Sequence, residues 1–566
     1  MEDRVARQLA EAALFEGLAD RVAADAAAGT IAWHLGGAPC RAQGGIGPFG
    51  RPRLRDGSIE IGDGRGGWRP AGFAALARLL PGTPDALRRL EAELAQTIEL
   101  CDWNRRSLPP PDRRALPFAR LDGAIGEGHA YHPCFKARTG FTIDDHRRYG
   151  PECGEPFRLD WLAVRRADVE AVLPTQEREF WRSLLGDDLD RIARRLAGTG
   201  ASLASHALVP VHPWQLRHLR GGALVDRLAR GWAVDLGPAG RRYRASQSLR
   251  TLHDADDPAG RSVKLALSVV STSSLRTLDP RFVLTAPALS RWLGETVAGD
   301  PLFAGPYRLD LLPEDAAVLA GRAGPLAGQL AAIWRGGVRL EPGEAAVPLN
   351  ALWAEEADGA LLAEPWIRRH GGADRWLARL CEVVALPVWH LLVAHGIALE
   401  AHGQNAILVH RDGWPERLIL RDFHESAEYA PGFLAAPERA PDLGRIDPAH
   451  AGPPDDRFHA MRSAPVLAEL VTDSLFVFNL AELTHALAQR HGLDEAAFWP
   501  ALGRRLARHA AEHGLEARLA RLRVGEAALR VESLLRRKLG APAEEPCFHH
   551  VPNPFRSILT REETSR

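Results

Sequence analysis

Two short segments of the chain place an arginine among hydroxyl side chains in the same local pattern. Ser248-Leu249-Arg250-Thr251-Leu252 recurs at residues 274–278, which puts Arg276 in the place of Arg250. Lys264 lies between the segments, and only three of the 71 basic residues are lysines. Where arginine is used this widely, a remaining lysine is a candidate for a compact point charge. The segments predict a phosphate-binding surface without a P-loop, formed by Ser248, Arg250, Thr251, Lys264, Thr272 and Arg276. Ordinary surface ion pairs are the alternative.

A later segment offers oxygen ligands for a metal ion. Glu400-Ala401-His402-Gly403-Gln404-Asn405 leads into a strand, residues 411–415 form a turn, and residues 417–422 return as a second strand. Pairing about Gly413 places Asn405 opposite Arg421, with Asp422 within reach. Hard oxygen ligands from Glu400, Asn405 and Asp422 suit Mg²⁺, a metal that also holds nucleotide phosphates. A capped helix end followed by a polar hairpin is the alternative.

A third polar segment, residues 128–141, is dense in histidine and basic residues. Donors from His132, Lys136 and Arg138 would bind carboxylates, and Gly140 would ease the approach of the backbone. A zinc site is one alternative, but the spacing fits no common class for its four possible ligands, which are His129, His132, Cys134 and Cys153. A turn with hydrogen-bonded core histidines is the other.

Several common sites are excluded or disfavoured. Residues 62–67 match GxGxxG, but no βαβ unit follows, so a hairpin turn is the better interpretation. The chain contains no GxxxxGK[ST], HExxH or GxSxG, which removes the main support for P-loop, zincin and α/β-hydrolase chemistry.

Composition limits the partners. The 566 residues carry a formal charge of -1, which argues against nonspecific binding to nucleic acid or anionic membranes. The most apolar stretch, residues 381–401, contains charged residues, histidine and proline, so a buried helix is expected rather than a membrane span. The six cysteines are scattered without a CxxC, which indicates reduced thiols in a cytoplasmic protein.

The periodicity of apolar residues predicts an α+β protein of two to four domains. Residues 1 to about 110 are expected to be mainly helical, with helices at 71–80 and 83–100. Short alternating runs follow, including a strand over 263–269 with Lys264 off its apolar face. Helices are predicted again from about 360, at 457–490 and 495–538, with a long surface loop over 430–456.

Taken together, the motifs resemble those of the aerobactin-synthetase-type (IucA/IucC) family, the NRPS-independent siderophore (NIS) synthetases. They occur in family order and are EGHAYHPCFKARTGF (127–141), LVPVHPWQ (208–215), SLRTL (248–252), KLALSVVSTSSLRTL (264–278), EAHGQN (400–405) and RDFHES (421–426). The closing His550-Val551-Pro552-Asn553-Pro554 is similar to the family's ending. The combination is specific, whereas no single motif would be.

The resemblance implies a cupped-hand fold with a helical thumb (1–112), mixed α/β fingers (113–350) and a mainly helical palm (351–566). It implies adenylation of citrate or a related acid by ATP with Mg²⁺, followed by capture with an amine, hydroxylamine or alcohol, and family members are often dimers. It assigns ATP to Ser248, Arg250, Thr251, Lys264, Arg276, His402, Gln404, Asn405 and Asp422, metal to Glu400, Asn405 and Asp422, and substrate to His132, Lys136, Arg138, Thr272, Arg276 and His402. The catalytic set is Arg250, Lys264, Arg276 and His402.

Two departures from the family pattern stand out. Glu532 occupies the place of a lysine that the family often has near its C-terminus, so Lys538 is a candidate substitute. His424 follows the aspartate motif where the family often has glycine. Two other functions stay open: a kinase-like phosphotransferase, because Asn405 and Asp422-Phe423 loosely resemble a kinase catalytic loop and DFG, and a non-catalytic siderophore-binding relative.

Overall fold

The computed structural model describes residues 1–540 and 547–556. The chain begins with helix Glu2–Phe15 and continues into an antiparallel sheet. Its strands are Asp20–Asp25, Thr30–Leu35, Ala38–Ile46, Pro52–Leu54, Glu60–Gly62 and Trp68–Pro70. Helices Phe73–Ala77 and Pro84–Ser107 follow. The expectation of a mainly helical start was therefore wrong for residues 20–70. Asp20–Asp25 is exposed throughout and lacks the apolar alternation that indicates a strand. Thr30–Leu35 does alternate, with its apolar residues buried, so part of this sheet carried a signal that the sequence analysis did not use.

The centre of the chain forms a large antiparallel sheet. Its strands, in spatial order, are His206–Val211, Phe157–Arg165, Ala233–Ala245, Thr251–Asp254, Ser262–Leu265, Ala331–Arg335, Glu314–Ala320 and Val169–Val172. Helices Glu177–Leu185, Asp188–Ala197, Pro213–Arg220 and Val225–Ala229 accompany the sheet. The predicted strand over 263–269 is shorter than expected, because regular pairing ends at Leu265.

Short elements connect this sheet with the rest of the chain. Strands Val270–Ser271 and Ser274–Leu275 form a small hairpin, and Arg138–Thr139 pairs with the first of them. The accompanying helices are Phe118–Leu121, Ile143–Tyr149, Pro280–Val283, Ala286–Ala298 and Pro301–Ala304.

The predicted late hairpin is confirmed. Strands Ala406–Arg411 and Trp414–Leu420 pair antiparallel, and the backbone N–H of Arg421 donates to the Asn405 carbonyl at 3.1 Å, as the predicted register requires. Ala345–Pro348 and Leu309–Leu311 complete this sheet. Strands Ile397–Leu399 and Ala427–Tyr429 form a second small sheet. Helices Glu364–Arg369 and Ala373–His390 precede it, and a π-helical turn, Leu391–His395, continues the second helix.

The last part is mainly but not wholly helical. Its helices are Ala464–Val471, the π-helix Thr472–Leu480, Ala481–His491, Glu495–Glu512, Glu516–Arg521 and Leu534–Lys538. Strand Ala528–Glu532 pairs with Phe548–Pro552 and interrupts the helix predicted over 495–538. Residues 430–456 contain only 3₁₀ turns, at Pro437–Arg439, Leu443–Arg445 and Pro448–His450, in agreement with the predicted loop.

Two hydrophobic cores organise these elements. The central sheet packs on its own core, which includes Trp161, Trp181 and Trp334. A larger core joins the first helix to the C-terminal helices, from Val5 to Phe555, so the two ends of the chain fold together. Helix Ala373–His395 is long and apolar enough to cross a membrane, but 78% of its apolar window is buried in this core. The boundaries at 112 and 350 stay a prediction.

Candidate active site

Main-chain pairing brings the three predicted cationic residues together. Thr251 lies opposite Lys264 on neighbouring strands, and the N–H of Leu265 donates to the Arg250 carbonyl at 2.9 Å. Two residues further on, the N–H of Leu267 donates to the Arg276 carbonyl at 2.9 Å. The two repeated segments therefore bind to the same stretch of chain, the first at residues 264–265 and the second at residue 267. We call Arg250, Lys264 and Arg276 the basic cluster.

Some hydrogen-bond donors in and beside the basic cluster have no partner in the described residues. Within the described residues, the Nε atoms of Arg250 and Arg276 and the Oγ1 of Thr251 are buried without a hydrogen-bond partner. Burial, together with the charge of Arg250, lowers the pKa of Arg276 to about 10. Buried polar groups without partners are rare in folded proteins and mark places where a ligand or solvent completes the bonding. These atoms therefore support a bound anion at this cluster.

The loop before Arg250 is shaped by its serines. Ser248 Oγ accepts from the Thr251 N–H at 3.1 Å and lies 3.2 Å from Ser246 Oγ, and Leu249 adopts a left-handed φ of 68°. A second left-handed residue, Thr272 (φ 57°), turns the small hairpin, and Arg276 donates to the Ser271 carbonyl at 3.1 Å. Such backbone conformations are uncommon for residues other than glycine and cluster at functional sites.

The late hairpin delivers an acidic group to the basic cluster. Asp422, at the end of its second strand, forms an ion pair with Lys264. His424 lies 3.3 Å from Asp422 and 3.5 Å from Glu314, and side-chain atoms of these three residues are close enough to share one metal ion. Glu400 is not part of this group. Glu314 and His424 thus join Asp422 as candidate ligands, and the set of Glu400, Asn405 and Asp422 stays a prediction.

The charges around Asp422 are strongly coupled. Burial raises the pKa of its carboxyl, but Lys264 and His424 outweigh burial and hold it well below its usual value. Burial and Lys264 lower the pKa of His424, yet Glu314 and Glu425 outweigh them and raise it. Asp422 is therefore an anion at neutral pH and a competent ligand for a cation.

A buried ion-pair network fixes the hairpin against the central sheet. Asp122 accepts two hydrogen bonds from Arg421, each at 2.7 Å, one from His253 at 2.7 Å and one from Gln247 at 2.9 Å. Arg421 also donates to the Gln404 carbonyl at 2.7 Å. Because bidentate arginine–carboxylate pairs are geometrically specific, this network determines where the next residue, Asp422, is presented.

Three histidines near the site are held by the same kind of hydrogen bond to the main chain. The Nδ1 atoms of His129, His132 and His402 each accept from nearby main-chain N–H groups, which leaves Nε2 as the donor. His402 Nε2 lies 3.9 Å from a Glu400 oxygen, and Asn405 Nδ2 donates to the Glu400 carbonyl. Burial lowers the pKa of His129 to about 4 and that of His132 well below its usual value, so both are neutral. The buried Nε2 of His132 has no partner among the described residues.

The two other residues that the sequence predicts as carboxylate ligands form ion pairs within the protein. Lys136 forms an ion pair with Glu152, and Arg138 donates to both Glu152 oxygens, at 2.7 and 2.9 Å, with all three side chains buried. We call these residues the Glu152 cluster. Glu152 thus engages both cations within the protein, and a carboxylate-binding role for Lys136 and Arg138 stays a prediction. The alternative zinc set is also unsupported, since it is not among the candidate metal groups of the described chain.

An acidic patch borders the site on the side of the C-terminal helices. Glu400 and Glu428 come from adjacent strands, and Asp473, on the π-helix, accepts from the Glu532 N–H at 2.8 Å. Burial and the charge of Glu400 raise the pKa of Glu428 to about 8, and burial raises that of Asp473 well above its usual value. Glu532 thus joins an acidic patch, whereas Lys538 forms an ion pair with Glu93 near His132.

Sequence reasoning missed several residues of this region. Glu314 and Arg335 lie opposite each other on neighbouring strands, and both influence the charged groups around Asp422. Neither belongs to a motif, so only the sheet register reveals them. His424 carried a signal, because it stands where the family often has glycine.

Comparisons with known proteins show the family of the chain. The model of the IucA / IucC family matches residues 117–354, and one described as ferric iron reductase FhuF-like transporter matches residues 374–546. A citryl-spermidine/3,4-dihydroxybenzoyl-citryl-spermidine:spermidine ligase from Bacillus anthracis is 34% identical over 447 residues, 77% of this chain and 72% of that protein.

Solved structures share the whole architecture. Petrobactin biosynthesis protein AsbB from Bacillus anthracis strain Sterne superposes with a TM-score of 0.91 at 30% identity, covering 98% of this chain and 95% of that one. Aerobactin synthetase IucC from Klebsiella pneumoniae gives 0.82 at 25% identity, covering 98% of each chain. The chain therefore belongs to the IucA/IucC family of NRPS-independent siderophore synthetases and is a ligase of siderophore biosynthesis.

Proposed function

We propose that this ligase adenylates a carboxylate of citrate or a citrate-derived acid with ATP, releases pyrophosphate, and transfers the acyl group to an amine. The observation that carries the proposal is the convergence of the basic cluster with Asp422, which comes from a hairpin far along the chain. Carboxylates beside a cationic cluster are the combination that a magnesium-bound nucleotide requires.

The basic cluster suits the first step. A carboxylate that attacks the α-phosphate must approach another anion, so fixed positive charge is needed where the two meet. Arg250 and Lys264 are almost enclosed, Arg276 is partly buried, and main-chain hydrogen bonds fix all three. Preorganised charge of this kind stabilises a developing anion more than solvent does. Ser248 and Thr251 supply hydroxyl groups beside the same phosphates, and His402, Gln404 and Asn405 would contact the rest of the nucleotide.

The acidic group beside the cluster fits a divalent cation. Glu314 and Asp422 offer the carboxylate oxygens that Mg²⁺ prefers, and His424 adds a nitrogen that is less typical of this metal. Mg²⁺ held there would neutralise phosphate charge and favour departure of pyrophosphate. Asp422 binds Lys264 in the free chain, so its oxygen is already directed at the basic cluster.

The carboxylate substrate requires donors that are neutral or cationic. His132 offers a buried Nε2–H, and Thr272 turns the hairpin that carries Arg276. We propose these three residues, with His402, as contacts of the acid. Lys136 and Arg138 are left out because Glu152 occupies them.

The acidic patch supports an amine acceptor that carries positive charge. Burial raises the pKa values of Glu428 and Asp473, and neighbouring carboxylates such as Glu400 raise them further, so a bound cation would relieve part of that repulsion. The Bacillus anthracis relative is named a spermidine ligase, and spermidine is an amine that carries positive charge. No activated nucleophile on the protein is needed, because holding the amine beside the acyl carbon supplies most of the second step.

The decisive experiment separates nucleotide products. Purified enzyme is incubated with Mg-ATP, citrate or another di- or tricarboxylic acid, and hydroxylamine as a trap, and nucleotides are resolved by chromatography. AMP and pyrophosphate, formed only with an acid, are expected. ADP as the sole product would favour the phosphotransferase, and no heat of Mg-ATP binding in calorimetry would favour the non-catalytic relative.

The proposal also covers the cellular compartment, the domain division and the oligomeric state of the enzyme. All six cysteines lie within the described residues and are free thiols, which fits a reducing, cytoplasmic compartment. The thumb, fingers and palm division and a homodimer are proposed from the family, and neither nucleic acid nor a membrane is proposed as a partner.

A further inference from the structure

A second group of metal-ligating side chains lies outside the adenylation site. His390 Nε2 and His395 Nε2 lie 2.9 and 2.8 Å from the same oxygen of Asp300, Oδ2. The three ligand atoms are within 4.8 Å of one another. Two imidazoles and one carboxylate are a ligand set typical of zinc and of non-haem iron(II). None of these residues has a role in the proposed reaction.

An irregularity in the backbone creates this arrangement. His390 ends a regular helix and His395 ends the π-helical turn that follows it, five residues later. In a regular α-helix, residues five apart point in different directions, whereas the wider π-turn brings them to one side. Single π-turns inside helices occur frequently at functional sites. Gly396, with a φ of 76°, ends the turn.

The third ligand, Asp300, is fixed by a hydrogen bond from its own main chain. Asp300 Oδ1 accepts from the Leu302 N–H at 2.9 Å, which fixes the carboxylate so that Oδ2 faces both histidines. Two segments distant in sequence therefore meet at one point. An arrangement fixed in this way before binding lowers the cost of ordering ligands around an ion.

Outer contacts orient the imidazole of His390. Its Nδ1 lies 3.0 Å from His509 Nε2, and His509 Nδ1 lies 3.1 Å from the Tyr307 hydroxyl. A metal-bound histidine almost always donates its other ring nitrogen to such a partner. The relay can serve either tautomer of His390, so a metal at Nε2 would replace the hydrogen bond to Asp300 while the contacts with His509 and Tyr307 stay in place.

We propose that Asp300, His390 and His395 form a binding site for a divalent transition-metal ion of the zinc type. His390 is 3% exposed, but Asp300 and His395 are 15% and 21% exposed, which gives an ion access and leaves a fourth position for water. Nitrogen ligands disfavour Mg²⁺, so this site and the Mg²⁺ proposed at Asp422 differ in metal class. The bound ion would join helix Ala373–His390 to the segment at Asp300.

The test measures metal binding directly. The full chain is stripped with a chelator, dialysed, and titrated with Zn²⁺ by calorimetry, with bound zinc measured by mass spectrometry after gel filtration. One equivalent of Zn²⁺ is expected, undiminished by excess Mg²⁺. Replacement by Co²⁺ should give the intense visible absorption of a low-coordinate nitrogen and oxygen site. An anaerobic titration with Fe²⁺ then decides which ion binds tighter.

Variants keep the proposal falsifiable. His395→Gln and Asp300→Asn should each lose the zinc equivalent and the cobalt absorption, while circular dichroism in chelator matches that of the wild type. His491→Gln is the matched control, because His491 faces a single carboxylate, Glu364, at 3.5 Å, and should keep the equivalent. Absence of zinc binding by the wild type, or full retention in folded His395→Gln, would overturn the proposal.

Discussion

Two basic clusters in this chain have similar residues but differ in how completely their hydrogen-bond donors are paired. In the Glu152 cluster, Lys136 and Arg138 are matched by one carboxylate whose two oxygens they fully engage. In the basic cluster, Arg250 faces Glu425 only at 3.4 Å, and the Nε atoms of Arg250 and Arg276 are buried without a described partner. The first cluster is complete as it stands and holds the fold together. The second has donors that a ligand or solvent would satisfy.

The largest effect is expected from breaking the complete cluster. Glu152→Gln removes the anion and leaves Lys136 and Arg138 as buried, unmatched cations, which costs about 3–5 kcal/mol in comparable pairs. Urea denaturation followed by tryptophan fluorescence should show the loss of stability, while AMP formation per folded molecule stays near wild type. Glu155→Gln, at an exposed neighbour, is the control and should change neither. A stable but inactive Glu152→Gln would assign the cluster to catalysis instead.

The incomplete cluster should respond in the opposite way. Arg276→Ala removes charge from the developing anion, and we expect adenylation to slow about 100-fold, equivalent to about 2.7 kcal/mol. Its unfolding should change little, because the described contacts of Arg276 include no carboxylate hydrogen bond. Pyrophosphate release measures the rate.

Arg281→Ala is the matched control for that measurement. Arg281 is an exposed arginine a few residues away and pairs with Asp279. A wild-type rate in Arg276→Ala, or an equal loss in Arg281→Ala, would remove Arg276 from the site.

The difference between the clusters also explains what the sequence could predict. Residue types and motif order were enough to nominate Arg250, Lys264, Arg276 and Asp422, and the hairpin register about Gly413 placed Asn405 opposite Arg421. The same reasoning nominated Lys136 and Arg138, since a motif does not reveal that Glu152 lies beside them. Whether a buried cation is matched depends on tertiary contacts, which residue spacing within one segment does not record.

The helices and strands also differ in how far the sequence predicts them. Long helices such as Pro84–Ser107 were predicted because periodicity accumulates over many turns. The first sheet was missed because strands such as Asp20–Asp25 are exposed throughout and carry no alternating face. Glu314 and Arg335 became visible only through pairing of Glu314–Ala320 with Ala331–Arg335.

A smaller effect should separate the acidic patch from both clusters. Glu532→Gln removes one charge near the acceptor, so we expect the KM of a cationic amine such as spermidine to rise about 10-fold, close to 1.4 kcal/mol. Adenylation trapped with neutral hydroxylamine should be unchanged. Glu526→Gln, an exposed acid paired with Arg523, serves as the control. An unchanged KM would exclude Glu532 from acceptor binding.

The smallest effect tests the patch through stability. Burial and neighbouring acids raise the pKa of Glu428 in the folded chain to about 8, above its unfolded value of 4.5, so the folded state binds more protons between these values. Stability from this group is present below pH 4.5 and is lost as pH rises through 8. Glu428→Gln removes the repulsion and should raise Tm by about 1 °C at pH 8.5, the shift that about 1 kcal/mol gives in a chain of 566 residues. At pH 5 the two proteins should melt nearly together. A Tm difference that is independent of pH would mean that Glu428 acts through packing and that the patch is not held protonated. Spermidine should then give no greater protection at high pH, whereas an ionising patch predicts that its protection grows as pH increases.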